Sequence, residues 1–303
     1  MAVVITRPAL APGQSAARRR MVDRAMTGAL WTAAISIIVL LAFFIGYLLF
    51  LGAPAISWHF LTAPPSEINA GGGIGPEIFN SFYILILTLI FTTPIAVAGG
   101  IYLQEYARPG AFTNVVQFCA ESLATIPSIV MGLFGIILFG LIFHIGFTAL
   151  GGALTLTLLN LPALMRVTQE ALATVPIMYR EASMALGATK WQTIRRVVLP
   201  TAIAPLTTGI VLIAGRIFGE TAALIYTAGV SVSAGKSAFD FRPLHTAETL
   251  SVHLWYTHSE GLVPDGAKVG NGSALVLLVM VLLFNISARL LGRALSKRLT
   301  GTT

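Results

Sequence analysis

The feature that most constrains this chain is a series of apolar stretches, each long enough to cross a bilayer. A membrane-spanning helix needs roughly 20 apolar residues, and windows of that length with few charges recur along the sequence. With 56% hydrophobic and 10% charged residues, the 303-residue chain is too apolar for a soluble domain. The sequence therefore predicts an all-α membrane protein with six spans, at residues 28–51, 78–103, 120–145, 148–171, 202–226 and 272–293.

The positive charges are distributed unevenly between alternate loops. Both termini and the loops after spans two and four carry most of them: Arg7, Arg18, Arg19, Arg20, Arg24, Arg108, Arg180, Lys190, Arg195, Arg196, Arg289, Arg293, Lys297 and Arg298. The other loops hold only Lys236, Arg242 and Lys268. By the positive-inside rule, both termini are expected in the cytoplasm, so the net charge of +7 reflects topology and not nucleic-acid binding.

The division of the chain follows from these spans. Residues 1–27 form a basic cytoplasmic tail, residues 28–293 the six-span domain, and residues 294–303 a second cytoplasmic tail. The first apolar run is too long for the core of a cleaved signal peptide, so we interpret it as a retained span. Cys119 is the only cysteine, which excludes an intrachain disulfide.

The loop between spans four and five, residues 181–200, is a polar and basic island in this apolar chain. It contains Glu181-Ala182-Ser183, then Gly187, then Val197-x-Leu199-Pro200. This pattern predicts two short helices around a flexible glycine, with the proline starting the next apolar run. Its basic residues should keep it in water, with Trp191 as an amphipathic anchor.

This loop resembles the EAA loop of ABC importer permeases, with Ser183 and Val197 as mild departures from that pattern. The resemblance implies a coupling helix that sits in a groove of a separate ATPase subunit. The coupling residues carried over are Glu181, Ala182, Gly187, Leu199 and Pro200. The alternative is an ordinary basic loop between two membrane helices.

Two pairs of opposite charges lie inside predicted spans. Arg166 and Glu170 in span four, and Arg216 and Glu220 in span five, are four residues apart, which places each pair on one helix face. Charges within a membrane are costly and usually face a bundle interior or a wet cavity. Arg166 is near the cytoplasmic end, where it can snorkel and pair with Glu170. Arg216 is expected in the middle of its span, facing a pathway.

Glycine and proline residues mark further points in spans three and five. Gly215 and Gly219 flank Arg216 at a spacing that lets another helix approach closely. In span three, Pro127 frees a backbone carbonyl that Ser128 or a neighbouring helix can satisfy. A packing kink and a role in lining the pathway remain equally open for this site.

Two motifs resemble those of phosphate-specific ABC importer permeases. The run Arg216-Ile-Phe-Gly-Glu220-Thr221-Ala-Ala is similar to the Arg-Ala-x-Gly-Glu-Thr-Ala signature, and Pro127-Ser128-Ile129-Val130-x-Gly132 is similar to the span-three motif. Ile217 stands where a small residue is usual. The chain looks more like the PstA-type subunit than its PstC-type partner.

That resemblance implies a set of roles and partners. The substrate-pathway residues would be Arg216, Glu220, Thr221, Arg166, Glu170 and Ser128. The partners would be a PstC-type permease subunit, two copies of an ABC ATPase and an extracytoplasmic phosphate-binding protein. ATP and Mg²⁺ would bind to the ATPase, and no cofactor is expected in this chain.

The chemistry of Arg216 suits an oxyanion. A guanidinium fork can replace part of the hydration of phosphate with charge-assisted hydrogen bonds. Glu220 would hold Arg216 when phosphate is absent and compete with the anion, so that binding stays weak enough for release. The alternative is a permanently closed ion pair.

The external loop, residues 227–271, contains two patterns that we do not interpret as sites. Ala234-Gly235-Lys236-Ser237 resembles a P-loop, but position 230 is Val230 and not glycine. The spacing of His245, His253, His258, Glu248 and Glu260 fits no common metal-ligand pattern, so interfacial histidines beside Trp255-Tyr256 are expected and no metal. The loop is expected to help dock the binding protein.

No set of catalytic residues emerges, so the chain is not expected to be an enzyme. Two alternatives to a phosphate permease remain. One is a permease for another oxyanion, such as sulfate or molybdate, which predicts the same coupling loop but a different centre of span five. The other is a membrane channel or enzyme that needs no ATPase.

Overall fold

The computed structural model describes residues 16–66, 69–230, 239–259 and 263–300. All regular elements in this part of the chain are helical. The α-helices are α1 Ala16–Gly52, α2 Trp58–Thr62, α3 Gly75–Ile101, α4 Ala111–Ala124, α5 Ser128–Gly135, α6 Ala149–Ala173, α7 Ile177–Ala185, α8 Lys190–Thr193, α9 Leu199–Thr201, α10 Ile203–Phe218, α11 Ala222–Ile225, α12 Leu250–Ser259 and α13 Gly266–Thr300. Wider π-helical turns follow α3, α5 and α8, at Tyr102–Tyr106, Ile136–Ile142 and Ile194–Val198. The all-α prediction is confirmed.

Several helical stretches are long and apolar enough to cross a membrane. Among the described residues there are four such stretches: Arg18–Ala55, Gly75–Tyr106, Ala149–Ala173 and Gly266–Leu290. Two more consist of helix pairs with a sharp bend, at Ala111–Ala124 with Ser128–Ile142 and at Lys190–Thr201 with Ile203–Phe218. The count is therefore four, or six if each bent pair makes one span.

The predicted third span is not a continuous helix. α4 ends at Ala124 and α5 begins at Ser128, and the two directions differ by 103°. Pro127 causes the break, because the residue before a proline is driven out of the helical region and the proline itself has no N–H to donate. The predicted span over residues 120–145 is therefore a bent helix pair, and it counts as one span only if the two helices cross the membrane together.

The predicted fifth span is also shorter than expected. α10 ends at Phe218, and Gly219 follows it as the C-terminal cap. The chain then makes a separate short helix, α11. The helical part of residues 202–226 is therefore divided, and the residues after Phe218 leave the axis of α10.

The chain divides into two compact units, Met1–Phe50 and Leu51–Thr303. The described part of the first unit is a single helix whose apolar side chains, such as Ile38, Leu40 and Phe43, are more than half exposed. A helix with apolar side chains exposed around its surface is typical of a membrane span, because lipid takes the place of a protein core.

The second unit is built around the packing of α3 against α6. Small and hydroxyl-bearing residues let the two backbones approach closely, as is common between membrane helices. A side chain at Gly100 would collide with Thr168, and the buried Thr92 hydroxyl donates to the Thr157 hydroxyl over 3.1 Å. Leu156 and Ile84 are fully buried in the same core.

Two prolines lie within α3. Pro76 stands in its first turn, where a missing N–H costs nothing. Pro94 lies in its interior and removes one backbone hydrogen bond there. The helix nevertheless continues through the π-helical turn to Tyr106.

Candidate functional site

The loop resembling the EAA motif folds as two short helices around a glycine, as predicted. We call residues 177–201, which comprise α7, α8, the following π-helical turn and α9, the coupling segment. Gly187 separates α7 from α8 with φ of +85°, a conformation that favours glycine. Thr189 and Gln192 then form a capping box at the start of α8.

A hydroxyl pair holds the two halves of the coupling segment together. The Ser183 and Thr193 hydroxyls lie 2.9 Å apart, across the turn at Gly187. Ser183 is the residue that departs from the alanine of the EAA pattern. The departure therefore supplies a hydrogen bond within the segment.

The coupling segment presents an apolar surface that the described part of the chain does not cover. Met178, Tyr179, Met184 and Leu186 are exposed, and Leu186 is 90% exposed. Glu181, Ala182 and Gly187 are exposed beside them, whereas Leu199 and Pro200 are half-buried. Large exposed apolar patches on a water-facing segment are typical of protein interaction sites.

One basic residue of this region does not face water, contrary to the prediction. Arg180 is largely buried and pairs with Glu105 of the turn after α3, with 2.7 Å between Arg180 Nη2 and Glu105 Oε1. The same guanidinium donates to the carbonyls of Val175 and Leu172 at 2.6 and 2.9 Å. The pair thus joins α3 to the start of α7.

Arg166 and Glu170 form the predicted pair within α6. Arg166 Nε lies 2.9 Å from Glu170 Oε1, and both side chains are about two-thirds exposed, at 67% and 63%. Arg166 also lines a cavity of ≈ 290 Å³ between α4 and α6, together with Gln117, Glu121 and Gln169. An exposed pair of this kind contributes little to stability.

Arg216 and Glu220 do not lie as predicted. Arg216 is in the last turn of α10 and not at mid-span. Because the helix ends at Phe218, Glu220 is not one turn further along the same face. In the part of the chain that the structure describes, no ion pair involves Arg216, whose side chain is exposed.

Glu220 and Thr221 belong to the irregular turn after α10. Glu220 Oε1 is 3.5 Å from the backbone nitrogen of Ala223 at the start of α11. The Glu220 carbonyl accepts a hydrogen bond from the Ser251 hydroxyl of α12 at 2.8 Å. The Thr221 hydroxyl makes a long contact of 3.5 Å to the Gly219 carbonyl, and the Thr221 carbonyl accepts from the Leu224 nitrogen at 3.0 Å.

The two motifs of the phosphate resemblance meet in space. A side chain at Gly132 of α5 would lie 2.9 Å from the Ala223 backbone, so α5 and α11 pack without side chains between them. Ser128 is half-buried at the start of α5. Gly215 allows close approach of Asn285 from α13, as predicted, whereas no described atom of another helix lies within 4 Å of a Cβ placed on Gly219.

At the other end of α3, a second group of ionisable residues lies inside the protein. We call Glu77, Glu248 and His253 the Glu77 cluster, whose ligand atoms all lie within 4.8 Å of one another. His253 is 8% exposed, so the prediction of an interfacial histidine is wrong for this residue. Burial lowers the pKa of His253, but the hydrogen bond and charge of Glu248 and the charge of Glu77 outweigh burial and raise it.

Other charged or titratable residues of the predicted external loop, such as Arg242 and His258, are exposed. Hydrogen bonds from Arg242 lower the pKa of Asp240 to about 2. His258 is exposed and takes no part in the Glu77 cluster. The P-loop-like residues 234–237 and Glu260 lie outside the described residues.

Sequence reasoning missed Glu105 and Glu77. Glu105 is 75 residues from Arg180 in the chain, and Glu77 lies on α3, whereas Glu248 and His253 lie in the predicted external loop. No periodic pattern connects residues so far apart. The only available signal was the presence of a carboxylate near each end of an otherwise apolar span.

The comparisons with known proteins agree with one another. The family model described as the binding-protein-dependent transport system inner membrane component matches residues 96–301. The chain is 41% identical over 293 residues to the probable ABC transporter permease protein YqgI of Bacillus subtilis (strain 168), covering 93% of this chain and 99% of that protein.

Two further relatives are named as phosphate transport proteins. The phosphate transport system permease protein PstA 2 of Mycobacterium bovis (strain ATCC BAA-935 / AF2122/97) is 32% identical over 293 residues, or 94% of this chain and 93% of that protein. The phosphate transport system permease protein PstA of Xylella fastidiosa (strain 9a5c) is 39% identical over 170 residues, or 55% and 58% of the two chains.

A solved structure shares the fold. A chain of a bacterial alginate ABC transporter, in complex with an alginate-bound periplasmic protein, superposes with a TM-score of 0.66 at 16% identity. The match covers 94% of this chain and 99% of that chain. At this identity the similarity concerns the fold alone.

Proposed function

The chain belongs to the family of binding-protein-dependent transport system inner membrane components and is a permease subunit of an ABC importer; from this premise we propose that its substrate is inorganic phosphate. Relatives named as phosphate permeases, one matched over 94% of this chain, support the proposal. The observation that carries it is the state of Arg216. Its guanidinium is exposed at the end of α10, and no carboxylate among the described residues forms an ion pair with it.

An unoccupied guanidinium suits a transported oxyanion. Arginine offers a planar fork of N–H donors that matches the oxygens of phosphate, and it stays charged at any physiological pH. Glu220 lies nearby in the chain but is turned toward the backbone nitrogen of Ala223. Arg216 can therefore bind an anion without first breaking an ion pair, in contrast to Arg166.

Glu220, Thr221 and Ser128 surround the same region in this proposal. Gly132 brings α5 against α11, so Ser128 and the residues after Glu220 belong to neighbouring elements. Arg166 and Glu170 would line the pathway nearer the coupling segment. A PstC-type subunit would supply the opposite wall, and both termini would lie in the cytoplasm.

The coupling segment is proposed to dock on one of two ATPase subunits. Its uncovered apolar side chains supply a surface for that partner. The buried pair of Arg180 and Glu105 would carry the displacement of α7 to α3. ATP and Mg²⁺ would bind to the ATPase, and a phosphate-binding protein would deliver the substrate from the other side of the membrane.

The test of the substrate is uptake of radiolabelled phosphate into cells that carry the complete transporter. Arg216→Gln should reduce uptake at least roughly tenfold at equal membrane levels, because hydrogen bonds between charged groups are lost. Arg216→Lys should retain part of the activity, since the charge remains without the fork. Arg289→Gln, an equal loss of charge on the exposed surface of α13, serves as the matched control.

Two outcomes would overturn the substrate assignment. Unchanged uptake in Arg216→Gln would remove Arg216 from the pathway. Saturable uptake of labelled sulfate or molybdate with no phosphate uptake would assign the permease to another oxyanion.

The coupling role has a separate test. Gly187→Val is strained because β-branched residues avoid a φ of +85°. It should weaken co-purification with the ATPase and uncouple ATP hydrolysis from transport. Gly110→Val is the control, because Gly110 is extended and open, so that a side chain fits there. Normal coupling in Gly187→Val would contradict the proposal.

A further inference from the structure

Three metal-ligating side chains converge where α3 begins. His253 Nδ1 lies 3.3 Å from Glu248 Oε1 and 3.9 Å from Glu77 Oε1. Glu77 is in the first turn of α3, Glu248 just precedes α12, and His253 lies within α12. Two distant parts of the chain thus contribute ligand-type atoms to one small volume.

Glu77 points to a missing ligand. Its side chain is completely buried, and neither carboxylate oxygen has a hydrogen-bond partner among the residues that the structure describes. A buried carboxylate normally accepts several hydrogen bonds or coordinates a cation, because removing it from water is otherwise very costly. In the described part of the chain, the imidazole of His253 lies 3.9 Å from Glu77 Oε1, which is too long for a hydrogen bond.

The backbone around this cluster is already held in place. Asn80 Nδ2 donates to the Glu248 carbonyl at 3.0 Å, and the Ser81 hydroxyl accepts from the Leu250 nitrogen at 2.9 Å. Glu77, Asn80 and Ser81 follow one another along one face of α3. The same face therefore fixes the segment that carries Glu248 and His253, and the ligand positions are set by the fold.

We propose that Glu77, Glu248 and His253 bind a divalent transition-metal ion, with Zn²⁺ as the best-fitting ion. One imidazole and two carboxylates are a known ligand set for zinc, and they leave a fourth position for water. Two ionised carboxylates and a neutral imidazole balance the charge of a divalent ion in this buried site. In a tetrahedral site the ligand atoms are about 3.3 Å apart; the His253–Glu248 separation already matches this distance, and the other separations, which are at most 4.8 Å, must shorten when the ion binds.

Binding of this ion would fasten α12 to α3. Ser251, between Glu248 and His253 in the chain, donates to the Glu220 carbonyl. An ion in the cluster would therefore also fix the backbone of the turn after α10. This inference concerns stability and metal content, and it does not depend on phosphate being the substrate.

The test uses the full-length chain, purified in detergent with the subunits that accompany it, through an affinity tag without histidine. After purification without chelator, elemental analysis should find about one zinc ion per chain. Removal of the metal should lower the temperature of unfolding, and added Zn²⁺ should restore it. Added Co²⁺ should give the visible absorption of a tetrahedral site.

Two ligand variants and one control separate this site from any other. His253→Ala and Glu77→Gln should each weaken zinc binding at least roughly tenfold and abolish the zinc-dependent rise in unfolding temperature. Glu77→Gln preserves the shape of the side chain, so it tests the site even if His253→Ala fails to fold. His258→Ala, at an exposed histidine of the same helix, should behave as the wild type.

The proposal is overturned by either of two results. A wild-type protein with no bound zinc and no response to Zn²⁺ would mean that the cluster holds only protons. Equal zinc binding by the wild type and Glu77→Gln would place the metal elsewhere in the complex.

Discussion

At one end of α3, Glu105 receives hydrogen bonds from Arg180 Nη2 and Nε at 2.7 and 3.1 Å. At the other end, Glu77 is completely buried, and no described residue forms a hydrogen bond with either of its carboxylate oxygens. The two carboxylates belong to one continuous helical stretch, Gly75–Tyr106. One site is complete within the chain, and the other requires an ion from outside.

The difference between Glu105 and Glu77 lies in whether the protein itself supplies the partners of the buried carboxylate. Arg180 also donates to two backbone carbonyls, so its donors and the Glu105 charge are satisfied together. Such a pair fixes geometry and is expected to transmit displacement. Glu77 instead has two acceptor oxygens without a hydrogen-bond partner among the described residues, so the stability of this end should depend on the ions and the pH of the solution.

The largest expected loss of stability comes from removing one partner of the buried pair of Arg180 and Glu105. Glu105→Gln or Arg180→Met leaves one buried charge without its partner, and each should cost about 3–5 kcal/mol of unfolding free energy. Denaturation of the purified protein in detergent measures this loss. The double variant should lose less than the sum of the two, and strictly additive losses would show that the pair does not interact.

A second prediction concerns the packing that supports the Glu105 end. Gly100→Ala would place a Cβ 2.5 Å from Thr168 Cβ, and overpacking of this kind costs about 1–3 kcal/mol. Gly99→Ala is the matched control, because its Cβ meets the flexible end of Met165 at 3.0 Å. Equal thermal stability of the two variants would mean that α3 and α6 separate easily.

The third prediction concerns Glu77, where removal of the charge should have the opposite effect on stability to its removal at Glu105. In the metal-free protein, Glu77→Gln should not destabilise the fold and should stabilise it by up to about 1 kcal/mol, since a neutral amide is easier to bury than a carboxylate. The measurement is the same denaturation in the presence of a chelator. A loss of unfolding free energy as large as that of Glu105→Gln would mean that the two buried carboxylates do not differ in their contribution to stability.

The smallest effect is expected for the exposed pair of α6. Arg166→Gln removes a solvent-exposed salt bridge and should change stability by less than about 1 kcal/mol. If phosphate uptake falls while stability is unchanged, Arg166 acts in the pathway. If both are unchanged, the pair is only a surface feature.

The sequence predicted what depends on neighbouring residues. The glycine turn at Gly187, the pairing of Arg166 with Glu170 and the all-helical class all follow from local patterns, and all are confirmed. Arg216 was placed wrongly because hydropathy alone does not show that a helix ends at Phe218 within an apolar run. The break at Pro127 was visible as a proline, but its angle was not.

The contacts between distant residues could not be predicted from the sequence. Arg180 was expected in water because a basic residue in a polar loop usually lies there. Its burial depends on Glu105 reaching the same place from another helix. Glu248 and His253 had the wrong spacing for a metal site when considered alone, and the third ligand-type residue, Glu77, comes from α3.

The proline inside α3 has a mechanical consequence. Glu77 and Glu105 are separated by about 42 Å of helix, and Pro94 lies between them where one backbone hydrogen bond is missing. We expect α3 to behave as two rigid helical segments that can bend relative to each other at Pro94. A displacement of Glu105 would then rotate the helical segment that carries Glu77. The position of Pro94 along α3 would set how far Glu77 moves for a given displacement of Glu105.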